Sequence, residues 1–121
     1  MPSADRLPRV LLRLEGVAVG VAALALYIDG GHSWLLFVAL ALAPDLAMFG
    51  YLASPRAGAI AYDLVHTEIW PVSLGVAGVL AGADTAAAIA LVWLVHIGAD
   101  RALGYGLKYP TAFGDTHLQR V

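Results

Sequence analysis

Cysteine is absent from this 121-residue chain. Disulfides, thiolate metal sites and thiol nucleophiles are thereby excluded, and the redox compartment is left open. Charge is scarce as well: 13% of residues are Asp, Glu, Lys or Arg, where soluble domains carry about 25%. A net charge of −2 offers no basic field for nucleic acid, and no nucleic-acid partner is expected. Neither HExxH nor a paired ExxH occurs, so no standard metallohydrolase or dimetal-carboxylate motif is present.

What fills the chain is apolar. Sixty per cent of residues are hydrophobic and the mean hydropathy is +0.78. A soluble domain of this size would bury only about two-thirds of its unfolded surface and would need more polar residues than usual. Lipid is therefore the expected covering. A hydrocarbon core about 30 Å thick takes roughly 20 helical residues, and four stretches qualify: about 10–28, 33–53, 57–80 and 84–107. Asp29-Gly30-Gly31, Ser54-Pro55-Arg56 and Gly82-Ala83-Asp84 separate them. Links this short make neighbouring helices antiparallel. The expected fold is all-α, a four-helix transmembrane bundle forming one domain over residues 1–121, with a tail over 108–121. Arg6 and Arg9 before an apolar stretch also fit a signal peptide. Glu15 within that stretch, and no A-x-A site after it, favour a retained first helix.

All seven basic residues fall in three regions. Arg6, Arg9 and Arg13 precede or open the first span, Arg56 lies in the middle link, and Arg101, Lys108 and Arg120 lie at the C-terminal end. The other two links contain no Lys or Arg. The asymmetry predicts a multi-pass protein of the cell's inner (plasma) membrane with both termini cytoplasmic. Gly16 and Gly20 form one GxxxG pair and Gly78 and Gly82 another, spacing that supports close helix approach and nothing more specific.

Ionisable residues inside a membrane are expensive and tend to face the bundle interior. At about 1.5 Å per residue, Asp45, His66, His96 and Asp100 fall roughly 10 to 16 Å from the cytoplasmic ends, with Glu15 somewhat shallower. Trp93, His96, Asp100 and Gly104 share one arc of the fourth span, and Asp63, His66, Thr67 and Trp70 one arc of the third. Pro44 and Pro71 are expected to kink the second and third spans beside these residues, crowding the carbonyls of Leu40 and Thr67.

Three uses suit such a cluster. Asp45, His66, His96 and Asp100, with Glu15, Asp63, Asp115 and His117 as further candidates, could bind a divalent metal (zinc, iron or manganese). A metal-bound water would then support chemistry on a lipid-like substrate. The same groups could relay protons in an ion-coupled transport component. A weak internal repeat fits that use: 30 residues separate Glu15 from Asp45 and His66 from His96, and APDLAMFGYL echoes GADRALGYGL. Thirdly, the groups could fasten helices or hold an assembly partner without catalysis. Membrane lipid is the expected neighbour, and a homodimer a further partner. Arg101 could bind a lipid phosphate or pair with a carboxylate. Tyr105, Tyr109 and Phe113 suit an interfacial belt, with Asp115 and His117 able to fold over the cytoplasmic mouth.

LLRLEG (11–16), PDL and GYL (44–52), YDLVHT (62–67) and HIGADRALGYGLKYP followed by FGDTHLQ (96–119) resemble a family of small bacterial integral membrane proteins known only as a domain of unknown function. The resemblance runs from Leu11 to Arg120. It implies four membrane spans and supplies no activity, substrate or cofactor.

Overall fold

The computed structural model describes residues 6–107, and among these every regular element is helical. Helix α1 runs over Leu7–Asp29, α2 over Trp34–Leu40, a 3₁₀ helix over Ala43–Leu52, α3 over Pro55–His66, α4 over Ile69–Leu80 and α5 over Asp84–Leu103. They form four consecutive helical passes of the bundle, two of them interrupted. The tail over 108–121, with its candidates Asp115 and His117, lies outside the described residues.

The links behave as their chemistry dictates. Ser33 and Ser54 cap α2 and α3, each hydroxyl accepting from a backbone N–H three residues on, of Leu36 at 3.3 Å and Ala57 at 3.0 Å. Gly31 and Gly82 turn the chain with φ of 65° and 68°, a region that residues with a Cβ rarely enter.

Two helices, α1 and α5, are long and apolar enough to cross a membrane. The second and third passes depart from the continuous spans expected over 33–53 and 57–80, because each proline does more than kink its helix. A proline ring collides with the carbonyl four residues earlier. For Pro44 that residue is Leu40, where α2 stops. For Pro71 it is Thr67, which takes extended angles (φ −84°, ψ 143°) and ends α3. Both prolines then sit in the first turn of the next helix, where a missing N–H leaves no bond unmade.

Helix α5 is the axis of the fold, packed against α1, α4 and α2, while the 3₁₀ helix lies on α3. The α1–α5 crossing is made by backbone on backbone. A Cβ added at Gly98 would stand 2.5 Å from the Gly20 nitrogen and 2.7 Å from the Gly16 carbonyl oxygen. Gly78, in the other GxxxG pair, meets Ala86 and Ala87 at the start of α5, with 2.9 Å from a built Cβ to the Ala87 nitrogen. At the far end, Tyr27 is fully buried against Ala88 and Val92, and Leu36, Phe37 and Leu91 close around it. Its hydroxyl donates to the Ser33 carbonyl, tying α1 to the start of α2.

The buried set mixes apolar groups such as Ile97 and Val92 with His66, His96 and Arg101, while many large apolar side chains face outward. The largest fully buried side chains include Tyr27, Tyr62 and His66, whereas Leu35, Leu52 and Leu80 are each at least 80% exposed. Scattered exposed apolar groups are ordinary, but a largely apolar exterior with charged groups kept inside is an arrangement that lipid solvation favours.

Candidate metal centre

The helix breaks free backbone carbonyls, and α5 pairs them again. In an unbroken helix the Ala41 carbonyl would accept from the Asp45 N–H, but that N–H bonds to Leu42 instead. Ala41 accepts from His96 Nδ1 at 2.5 Å. Beyond the second break, the Val65 carbonyl accepts from the Trp93 indole at 2.5 Å, and the His66 carbonyl from Arg101 Nη2 at 3.1 Å. An unpaired buried carbonyl is costly, so these bonds fix how α5 sits against both broken ends.

Four side chains converge as a result: Asp45 from the 3₁₀ helix, His66 from the last turn of α3, and His96 and Asp100 one turn apart on α5. One ligand atom from each lies within 4.8 Å of all the others. His66 Nε2 is 3.2 Å from Asp45 Oδ1 and 3.4 Å from Asp100 Oδ2. His96 Nε2 is 3.1 Å and 3.3 Å from the same two oxygens. The two Nε2 atoms are 3.2 Å apart. A tetrahedral zinc site with bonds of about 2.0–2.1 Å has ligand–ligand edges of roughly 3.3–3.4 Å. Five of the six edges, at 3.1–3.4 Å, lie close to that length, and the sixth, between the two carboxylates, is within 4.8 Å.

The tautomers follow from the second nitrogens. His66 Nδ1 donates to the Tyr62 carbonyl at 2.9 Å, and His96 Nδ1 donates to Ala41. With the proton on Nδ1, each Nε2 turns a lone pair toward the centre. With both rings neutral, two lone pairs and two carboxylate oxygens face one another, whereas a proton on either Nε2 would make it a donor to Asp45 and Asp100. A divalent cation between the four groups would supply attraction without that proton and cancel both carboxylate charges. The backbone carbonyls on the outer nitrogens are the partners that orient metal-binding histidines.

Tyr62 completes the surround, and sequence reasoning missed it. Its ring stacks on His66 with centroids 3.6 Å apart and planes 7° from parallel, and its hydroxyl donates to Asp100 Oδ2 at 3.4 Å. The signal available was its position four residues before His66, on the same helix face. Asp100 Oδ2 lies 3.3 Å from His96 Nε2, while the Ala41 carbonyl holds His96 at Nδ1.

The other candidates lie elsewhere. Glu15 is exposed and Asp63 half-buried, and neither joins the four converging atoms. Glu15 lines a separate cavity with Thr67, Glu68 and Arg101. Arg101 is buried, donating to the carbonyls of His66 and Tyr105. The arc expected to join His66 to Trp70 is interrupted by extended Thr67, and Trp70 ends half-exposed on α4.

Residues 9–121 match the model of a protein family described as a domain of unknown function, DUF4260. The chain belongs to this family. No curated protein and no solved structure matches it. The DUF4260 match covers all four converging ligands and carries no activity with it.

Proposed function

We propose that this DUF4260 protein is an integral membrane metalloprotein. It holds one divalent cation, zinc, iron or manganese, between Asp45, His66, His96 and Asp100, in the cytoplasmic half of a bilayer crossed four times. The observation that carries the reading is the inward convergence of two imidazole Nε2 atoms and two carboxylates, with each nitrogen 3.1–3.4 Å from both carboxylates. Two carboxylates and a divalent cation sum to zero charge, the condition under which charged groups are tolerated away from water. Nitrogen and oxygen donors without thiolate suit all three metals. The apolar exterior and the basic residues confined to three regions support the membrane setting, with both termini cytoplasmic. In that setting the cation would act as a Lewis acid on an oxygen of a lipid-like molecule.

Metal analysis of the purified chain tests this. After reconstitution in detergent, one equivalent of metal is expected in the wild type and in His32→Ala, whose ring lies against Tyr27 away from the centre. His66→Ala and His96→Ala should hold none. A wild-type protein that binds no zinc, iron or manganese would end the reading.

One observation favours a second use, cation passage. Interrupted membrane helices commonly place ion sites at their breaks, and here Asp45 and His66 each flank one. Proteoliposomes that take up the bound metal, with uptake lost in His96→Ala, would support passage over catalysis.

A further inference from the structure

We infer that Asp45 is the exchangeable ligand of this centre, and that the groove beside it seats a single-chain amphiphile whose anionic oxygen takes Asp45's place on the cation. The inference rests on the metal reading and deepens it by naming the substrate class.

The four ligands are not held alike. His66 and His96 are each fixed at Nδ1 by a backbone carbonyl, and Asp100 receives the Tyr62 hydroxyl. All three stand on α-helices. Asp45 stands third in a 3₁₀ helix, whose hydrogen bonds have poorer geometry. Beyond the two histidines, its carboxylate has no hydrogen-bond partner among the described residues. Exposure follows the same order: the side chains of His66, His96, Asp100 and Asp45 are 0%, 6%, 18% and 34% exposed. Catalytic zinc sites characteristically keep three protein ligands and one exchangeable position. The three well-held groups here are His66, His96 and Asp100.

The groove's walls are chain neighbours of the ligands: Pro44 precedes Asp45, Val65 precedes His66, and Trp93 stands three residues before His96. Ala43 and Pro44 form one wall, Val65 another, and Trp93 and Ile89 the third, all within one or two turns of a ligand. Its volume of about 220 Å³ exceeds the roughly 150 Å³ of a dry cavity that holds benzene. The walls are almost wholly apolar because the one indole N–H is already spent on the Val65 carbonyl. Such a groove takes hydrocarbon. Charge selects the head: with Asp45 displaced, a divalent cation on His66, His96 and Asp100 carries one net positive charge. A carboxylate or similar anionic oxygen cancels it, and a neutral or cationic head does not. The occupant is therefore fatty-acid-like.

Cobalt(II) reports coordination through its visible bands, so the full chain loaded with Co(II) in an uncharged maltoside detergent can be titrated with octanoate and with acetate. Asp45→Ala is expected to retain one Co(II) with affinity lowered about ten- to hundred-fold, a loss like that of an outer partner. Octanoate should perturb its bands at concentrations about ten- to hundred-fold below acetate, as burial of a few methylenes implies. Ala43→Trp, which fills the groove, should erase that advantage and leave metal content and acetate binding unchanged. The wild type should respond to octanoate in the same way at higher concentration, which decides the matter even if Asp45→Ala does not fold. Loss of all metal from a folded Asp45→Ala while the wild type holds it would overturn the inference and leave the metal centre standing. Equal affinity for octanoate and acetate would also overturn it. A wild type that binds no Co(II) removes both.

Discussion

Arg101 donates from Nη2 to the carbonyl oxygen of His66, 3.1 Å away and 35 positions earlier in the chain. The acceptor is the last residue of α3, so a fixed cation stands where the helix dipole is negative and where the break left a carbonyl without its partner. Arg101→Leu is expected to lower stability by about 1–3 kcal/mol through that unpaired carbonyl. It should also weaken metal binding about tenfold, because the end of α3 carries a ligand. Arg101→Lys should recover part of both. Detergent unfolding curves and metal titrations check this, and full metal affinity in Arg101→Leu would show that the end of α3 holds itself.

Tyr62 separates packing from chemistry within one side chain. Tyr62→Phe keeps the ring stacked on His66 and removes only the O–H to Asp100. Metal affinity should fall about tenfold with little loss of stability. Tyr62→Ala empties a buried aromatic site and should cost about 3–5 kcal/mol. If Tyr62→Phe binds metal as the wild type does, the hydroxyl plays no part in holding Asp100.

The meeting of Asp45, His66, His96 and Asp100 could be read from the sequence because helical rise is nearly constant and the links are short. The two prolines likewise marked where helices would suffer. What local pattern could not supply was the response. Whether a proline bends a helix or ends it depends on what receives the freed carbonyls, and here those receivers are Trp93, His96 and Arg101 on a helix far along the chain. Their register against the breaks is held by those carbonyl bonds, and the Gly16, Gly20 and Gly98 contact seats α1 on the same helix, a tertiary fit that a GxxxG count cannot reveal. Glu15 illustrates the converse: the same count puts it near the cluster though somewhat shallower, yet the side of α1 on which it sits leaves it exposed.

That contact can be tested by two glycines that differ only in surroundings. A Cβ at Gly98 would meet Gly20 backbone at 2.5 Å, and neither chain can yield without separating α1 from α5. A Cβ at Gly75 would meet only the Ala90 methyl, at 3.3 Å. Gly98→Ala is expected to destabilise by at least the ~1–3 kcal/mol typical of overpacking. Gly75→Ala should stay near neutral, since the added methyl improves helix propensity while it crowds its neighbour slightly. Thermal unfolding of both variants in detergent decides it, and equal stabilities would mean that α1 and α5 do not cross at these residues.

The interrupted second pass makes the sharpest topological prediction. Seven residues of α2 rise about 10 Å and the ten of the 3₁₀ helix about 20 Å, because 3₁₀ geometry gains roughly 2.0 Å per residue. Laid end to end they match a hydrocarbon core of about 30 Å, so a 3₁₀ stretch lets a short segment reach across. The chain has no cysteine, which makes single-cysteine labelling direct. A membrane-impermeant maleimide added outside intact cells should label Asp29→Cys and Ala81→Cys. Arg6→Cys and Arg56→Cys should react only after permeabilisation. Labelling of Asp29→Cys and Arg56→Cys from the same side would mean that Trp34–Leu52 turns back within the bilayer. The carboxylate of Asp45 would then enter the centre from a re-entrant segment, and the count of crossings would fall below four.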